Sequence, residues 1–197
     1  MRRKKDSELI YETALGFFSR YGYKKTTLED IATGLNMSNS NIYSYADSKR
    51  SLYYDCIEYA VERWQTKVFD SINNNLEAAN DPVKRLRLSF KVAADHLLED
   101  EALCNLIRKD SAIFPLSPTI DPTEKYNNVF IDYICDILKD GIAKGVFQNL
   151  NPQETAIIIF NIYKSLVIES YIRQGKEDMQ NYFQTTLDLL QYGIIKR

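Results

Sequence analysis

The chain has 197 residues with 25 Lys and Arg against 27 Asp and Glu, a net charge of −2 and a pI near 5.6, a balance that does not by itself point to nucleic acid. The length permits an ordinary core in one or two domains. No stretch approaches the roughly 18 apolar residues of a membrane span, and Cys56, Cys104 and Cys135 are odd in number and far apart beside a single histidine. A disulfide framework or Cys/His zinc site is therefore not expected; the three cysteines read as small core fillers.

Divided along the chain, the charge is uneven. Residues 1–50 hold nine Lys or Arg against six acids, a balance of +3, and the remainder holds 16 against 21, a balance of −5. Cations gathered toward one end are what phosphate contact requires. No apolar segment follows MRRKKDS, so no secretory signal and a cytoplasmic location are expected. Arg2, Arg3, Lys4 and Lys5 read either as a flexible arm reaching a DNA backbone or as a solubilising terminus.

The first predicted helix covers Asp6–Tyr21, with Ile10, Ala14, Phe17, Phe18 and Tyr21 on one face and Gly22 as its stop. Next comes TTLEDIATGLNMSNSNIYSYADSK, residues 26–49. Thr27 with Asp30, or Thr26 with Glu29, forms a capping pair that opens a helix. Leu28, Ile31, Ala32 and Leu35 make its apolar stripe. Asn36 stands where a left-handed residue must end it, and Asn tolerates that conformation. Ser38 is placed to cap a second short helix. With Leu35, Met37 and Ile42 joining the two helices, Asn39, Ser40, Asn41 and Tyr43 point outward and carry no formal charge, a shape for entering a DNA groove. Asn39 and Asn41 can donate to and accept from base edges, adenine being the natural partner.

At these residues the chain resembles the TetR family of bacterial transcriptional repressors. Thr27, Ile31-Ala32, Ser38, Ile42-Tyr43, Tyr45 and Lys49 stand in register with the family pattern, which departs at Asn36 and Ser40, where Gly is usual, and at Ala46, where Phe is usual. The resemblance implies phosphate contacts from Tyr43 and Lys49, with further backbone contacts from Thr27, Ser38 and Tyr45. Ser40 in place of Gly bears on base preference. Ala46 implies a looser seat for the link into the next helix.

A long helix then runs from Asp47 or Ser48 to about Asn73. Asn73–Asn75 and Asn80-Asp81-Pro82 mark breaks. Pro82 opens Val83–Leu98, a short helix covers about Glu101–Ala112, and the prolines at 115, 118 and 122 make Phe114–Pro122 the longest loop. Helices resume at about Pro122–Lys144, Pro152–Arg173 and Glu177–Ile195. With no strand-length alternation, the chain reads as all-α with about nine helices: a helix-turn-helix DNA-binding domain over residues 1–48 and a bundle for ligand binding and dimerisation over 49–197.

In Ala156–Ile172 apolar residues go nearly all the way round, so burial on more than one side is expected. Phe183, Leu187, Leu190 and Ile194 form a stripe on the last helix. A two-fold homodimer through these helices, using Phe160, Tyr163, Val167, Phe183, Leu187, Leu190 and Ile194, is the natural solution, and the resemblance implies the same. It also implies a small-molecule effector among the middle helices, for which Trp64, His96, Cys104, Phe130 and Tyr133 are candidates as aromatic or polar groups on apolar faces. An apolar or amphipathic effector is expected. No GxSxG, GxGxxG, Walker-type loop or HExxH occurs, so neither an enzyme nor a cofactor or metal is expected. The rival is a helical module that binds a protein or membrane surface without DNA.

Overall fold

The computed structural model describes residues 2–75, 78, 80–109, 123–173 and 176–195; for residues 2–6, 168–173, 176–180, 183 and 191 it describes the backbone alone. Among them are nine helices: α1 (Arg2–Tyr21), α2 (Leu28–Gly34), α3 (Asn39–Ile42), α4 (Lys49–Asn73), α5 (Pro82–Glu99), α6 (Glu101–Lys109), α7 (Glu124–Ala143), α8 (Pro152–Arg173) and α9 (Lys176–Ile194). The only pairing of strand type among the described residues is an isolated antiparallel bridge between Phe147 and Ile195. The all-α expectation holds. The Phe114–Pro122 loop lies outside the described residues.

Local chemistry sets the boundaries. Gly22 and Gly145 take positive φ (82° and 69°) just past α1 and α7, which glycine does without steric cost. Ser48 and Ser51 cap α4 reciprocally, each backbone N–H donating to the other's hydroxyl at 3.0 and 3.1 Å. Asp81 Oδ1 accepts from the backbone N–H groups of Val83 (2.9 Å) and Lys84 (3.1 Å). Asn151 does the same for Gln153 and Glu154. Each cap stands directly before a proline, Pro82 or Pro152, that needs no N–H partner in the first turn. α1 starts at Arg2, four residues before the expected Asp6, so the backbone of the cationic cluster is helical.

The chain divides into two compact units, residues 1–64 with 100–123 and residues 65–99 with 124–197. α4 contributes its first part to one and its last turns to the other. In the first unit, Ile10, Ala14, Leu15 and Phe18 of α1 are buried with Ile31, Ile42, Leu52, Cys56, Leu106 and Ile107. Phe18 meets Tyr53 edge to face at 5.0 Å. Two residues of the expected α1 stripe lie off the core: Phe17 is half-buried and Tyr21 exposed, while Leu15, on the other side of Phe18, is buried. Lys109, at the end of α6, donates to the Ser19 carbonyl (2.8 Å) and the Arg20 carbonyl at the end of α1. Arg63 donates to Asp100 at 2.6 Å.

The second unit is centred on Phe130, which packs against Phe69 (5.6 Å) and Phe160 (6.4 Å), and on Phe90 against Tyr163 (5.2 Å). Gln65, buried, donates to the Tyr126 carbonyl at 2.9 Å. Burying side chains of this size stabilises by roughly 1.5–3 kcal/mol each. No described helix is long and apolar enough to cross a membrane.

Candidate nucleic-acid interface

Thr27 is extended (φ −114°, ψ 160°) and caps α2. Its hydroxyl accepts from the Asp30 backbone N–H at 3.1 Å, while Asp30 Oδ2 accepts from the Thr27 N–H at 2.9 Å and its hydroxyl at 2.7 Å. Hydrogen bonds from the Thr27 hydroxyl and then its backbone hold the Asp30 carboxyl below its ordinary value. Of the two capping pairs the sequence offers, Thr27 with Asp30 is used. Thr26 is buried and donates instead to the Gly22 carbonyl at 3.0 Å.

α2 ends as the Asn requires. Asn36 is left-handed at φ 53°, and the Met37 N–H returns to the Ala32 carbonyl at 2.8 Å, closing the turn. α3 is only four residues long, anchored by a fully buried Ile42. Ser38 does not cap it through its side chain, contrary to expectation: its hydroxyl pairs with that of Ser40 at 2.9 Å. The first turn is closed by the Asn41 N–H donating to the Ser38 carbonyl at 2.9 Å. Asn39, Ser40, Asn41 and Tyr43 are exposed, Tyr43 at 57%. Ser44, which the sequence reading passed over, lies exposed beside them and donates to the Asn41 carbonyl. Ile42 is the anchor that turns these side chains outward together. Tyr45 is half-buried, and Ala46 is buried at 7% exposure.

Lys49 is held by the backbone. Its ammonium donates to the carbonyls of Tyr23 (3.0 Å) and Thr26 (3.1 Å) and lies 4.4 Å from the Tyr23 ring centroid. An ammonium has three N–H groups, and here two are held by backbone and the ring covers the same cation. Lys49 thus ties the start of α4 to the α1–α2 connection. Arg50 is exposed, with its guanidinium on the Tyr54 hydroxyl at 3.2 Å. Lys24 and Lys25 are exposed in the α1–α2 connection.

A sequence pattern described as bacterial regulatory proteins, tetR family, matches residues 10–56, the segment from α1 into α4. The HTH-type negative transcriptional regulator IcaR of the Staphylococcus aureus icaADBC biofilm operon is 35% identical over 173 residues, covering 87% of this chain and 75% of the relative. The chain belongs to the TetR family. The HTH-type regulator YhgD of Bacillus subtilis is 23% identical, over 82% of each chain. Two solved structures share the fold at lower identity. A TetR transcription regulator from Haloarcula marismortui has a TM-score of 0.79 at 18% identity, with 98% and 100% of the chains covered. A transcriptional regulator from Saccharomonospora viridis in complex with choline has a TM-score of 0.74 at 21% identity and the same coverage.

In this TetR-family transcriptional regulator the candidate effector residues are divided between the two units. Trp64 and a buried Cys104 belong to the first; His96, Phe130 and Tyr133 belong to the second. Phe130 is a core residue at 1% exposure. Tyr133 stands edge-on to Phe69 at 5.3 Å. His96 links α4 to α5: its Nε2 is 2.8 Å from the Ser71 hydroxyl and its Nδ1 is 3.2 Å from Glu99. None of the five lines the groove of about 620 Å³ along α5 and α9 of the second unit.

The expected dimer residues differ in exposure within the TetR-family bundle. Phe160, Tyr163, Val167 and Ile194 are buried by this chain's own helices. Burial pushes the Tyr163 hydroxyl well above its ordinary value. Leu187 and Leu190 are half-buried, and the Phe183 side chain lies outside the described residues. Among the described side chains of α8 and α9, the exposed large apolar ones are Ile157, Ile158, Tyr182, Leu189 and Tyr192, with Leu189 at 68% and Tyr192 at 75%. Their signal was present in spacing. Ala156, Ile159, Phe160, Tyr163 and Val167 form a complete core stripe at i, i+3, i+4, i+7 and i+11, which leaves Ile157 and Ile158 off it.

All three cysteines are buried. Cys56 Sγ lies 3.7 Å from the Tyr11 carbonyl, and burial raises its thiol far above the ordinary range. Among the described residues no group of three His, Cys, Asp or Glu is placed to hold a metal.

Proposed function

We propose that this TetR-family regulator is an effector-responsive repressor that binds a near-palindromic operator as a homodimer. Residues 1–48 would read DNA, and residues 49–197 would dimerise and bind the effector in the cytoplasm. The observation that carries the reading is the exposed, uncharged row Asn39–Ser40–Asn41–Tyr43, turned outward by the buried Ile42. Asn39 and Asn41 read base edges, and Tyr43 with Thr27, Ser38 and Tyr45 sets register on the backbone. Lys49 holds phosphate, joined by the exposed Lys24 and Lys25.

A two-fold seam through Ile157, Ile158, Tyr182, Leu189 and Tyr192 displays two such rows to half-sites roughly 34–36 Å apart. The name of the S. aureus relative, a negative regulator, supports repression, and the choline complex of the S. viridis protein supports a small-molecule effector. An effector acts by favouring the dimer state that cannot span both half-sites.

The test is selection of duplexes from a random palindromic library, followed by fluorescence anisotropy at several salt concentrations. The expected result is tight, steeply salt-dependent binding to a two-half-site duplex, with base preference relaxed at one position per half-site by Asn41→Ala. Equal affinity of Asn41→Ala and the parent for every duplex would remove the site assignment.

A further inference from the structure

In the second unit α5 turns Lys84, Arg87 and Lys91 to one side, at i, i+3 and i+7. Across from them α9 supplies Asn181, Gln184 and Leu187, and the two helices enclose the groove of about 620 Å³. Leu88 and Ala94 join Leu187 as its apolar surface. The charge here runs against its surroundings: residues 51–197 carry −5 without Lys49 and Arg50, yet the groove is lined by three cations and one acid, Asp95. Two cations already have carboxylates. Arg87 donates to Asp188 at 2.9 Å and Lys91 to Asp95 at 3.0 Å, both pairs well exposed. Counting Asp188, the cluster keeps a charge of +1. The Lys84 ammonium has no hydrogen bond or ion pair among the described residues, and it is exposed.

Small-molecule sites span about 300–1,000 Å³ and combine apolar walls with a few polar anchors. This groove has that volume and that division of labour. Exposed Lys91–Asp95 pairing is weak, so Lys91 can turn from its carboxylate to a ligand at little cost, beside Lys84. We propose that the α5–α9 groove binds an amphipathic organic anion, its carboxylate or phosphate head on Lys84 and Lys91 and its apolar body along Leu88, Ala94 and Leu187. The groove shares none of Trp64, His96, Cys104, Phe130 and Tyr133, so the site goes beyond the effector reading above and does not depend on operator binding.

The experiment uses the full chain without DNA. Calorimetric titrations below the micellar range compare decanoate, decyl phosphate, decanol, decyltrimethylammonium and inorganic phosphate. One anion per chain is expected, binding at least about tenfold tighter than decanol or decyltrimethylammonium, since a charge-assisted contact is worth about that factor. Decanoate against decyl phosphate tells which head is preferred. Inorganic phosphate, lacking the apolar body, should bind too weakly to register.

Lys84→Gln with Lys91→Gln, both on the exposed surface, should weaken the anions about tenfold or more while leaving decanol affinity and the unfolding temperature unchanged. Leu88→Trp should weaken anions and decanol alike. Equal binding of decyltrimethylammonium and decanoate, or anion affinity unchanged in the double lysine variant, overturns the proposal. Because no DNA is present, that failure would leave the operator reading standing.

Discussion

At Lys49 two backbone carbonyls and an aromatic ring surround a cation that the motif alone would place on DNA. Removing it should cost stability before it costs contacts. Lys49→Met loses two charge-assisted bonds at a half-buried site, so urea unfolding should show about 1–2 kcal/mol of destabilisation. Asn41→Ala should move the same midpoint by less than about 0.5 kcal/mol, because Asn41 is an exposed side chain. Asn36 offers a second contrast. Its φ of 53° suits Gly, so Asn36→Gly should fold normally, while a β-branched Asn36→Val should lose about 1–2 kcal/mol in thermal unfolding. At Asp30 the sign follows from a carboxyl held below its ordinary value of 3.8 by Thr27. Its contribution is complete above that value and is lost as pH falls through the lowered folded one. Acid titration by circular dichroism should find Asp30→Asn less stable than the parent near neutrality and the two converging in acid. The cap and the Asn turn were legible because both are written within three or four residues. The strut at Lys49 was not, since its acceptors lie 23 and 26 residues back.

Helices whose apolar residues occupy one side were readable as elements and as faces; α8 was readable only as an element. A helix apolar nearly all round says that it is covered, not by what. Here the chain's own helices, with Phe90 of α5 against Tyr163, cover Ala156, Ile159, Phe160, Tyr163 and Val167 and leave Ile157 and Ile158 outside. The turn after α7 shows a tighter dependence. A Cβ added at Gly141 would stand 2.1 Å from the ring of Phe147, a residue at 3% exposure whose N–H, like that of Val146, donates to the Gly141 carbonyl. The ring lies directly over the helix backbone, and Gly141 is the position that permits it. Gly141→Ala should therefore lower stability by about 1–3 kcal/mol through overpacking, although alanine is the better helix former. An unchanged unfolding temperature would show that the ring can move aside.

For the whole molecule, helix order and the all-α class were legible because caps, prolines and glycines punctuate the chain at nearly every boundary. The compact units were not. The first joins α6 to α1 across some eighty residues, through a lysine on two carbonyls, and no periodicity encodes such a return. On the proposed assembly, Ile158→Glu with Leu189→Glu should halve the mass seen by analytical ultracentrifugation and abolish operator binding, leaving helicity intact. Phe160→Ala, a core truncation, should instead cost about 3–5 kcal/mol of unfolding stability. The absence of formal charge from the row around Asn41 has one further consequence for such a dimer. Counterion release is set by the cations that flank the row, not by the row itself. A rise in potassium concentration would then loosen the protein from right and wrong sequences by the same factor, so occupancy would track ionic conditions while fidelity stayed constant.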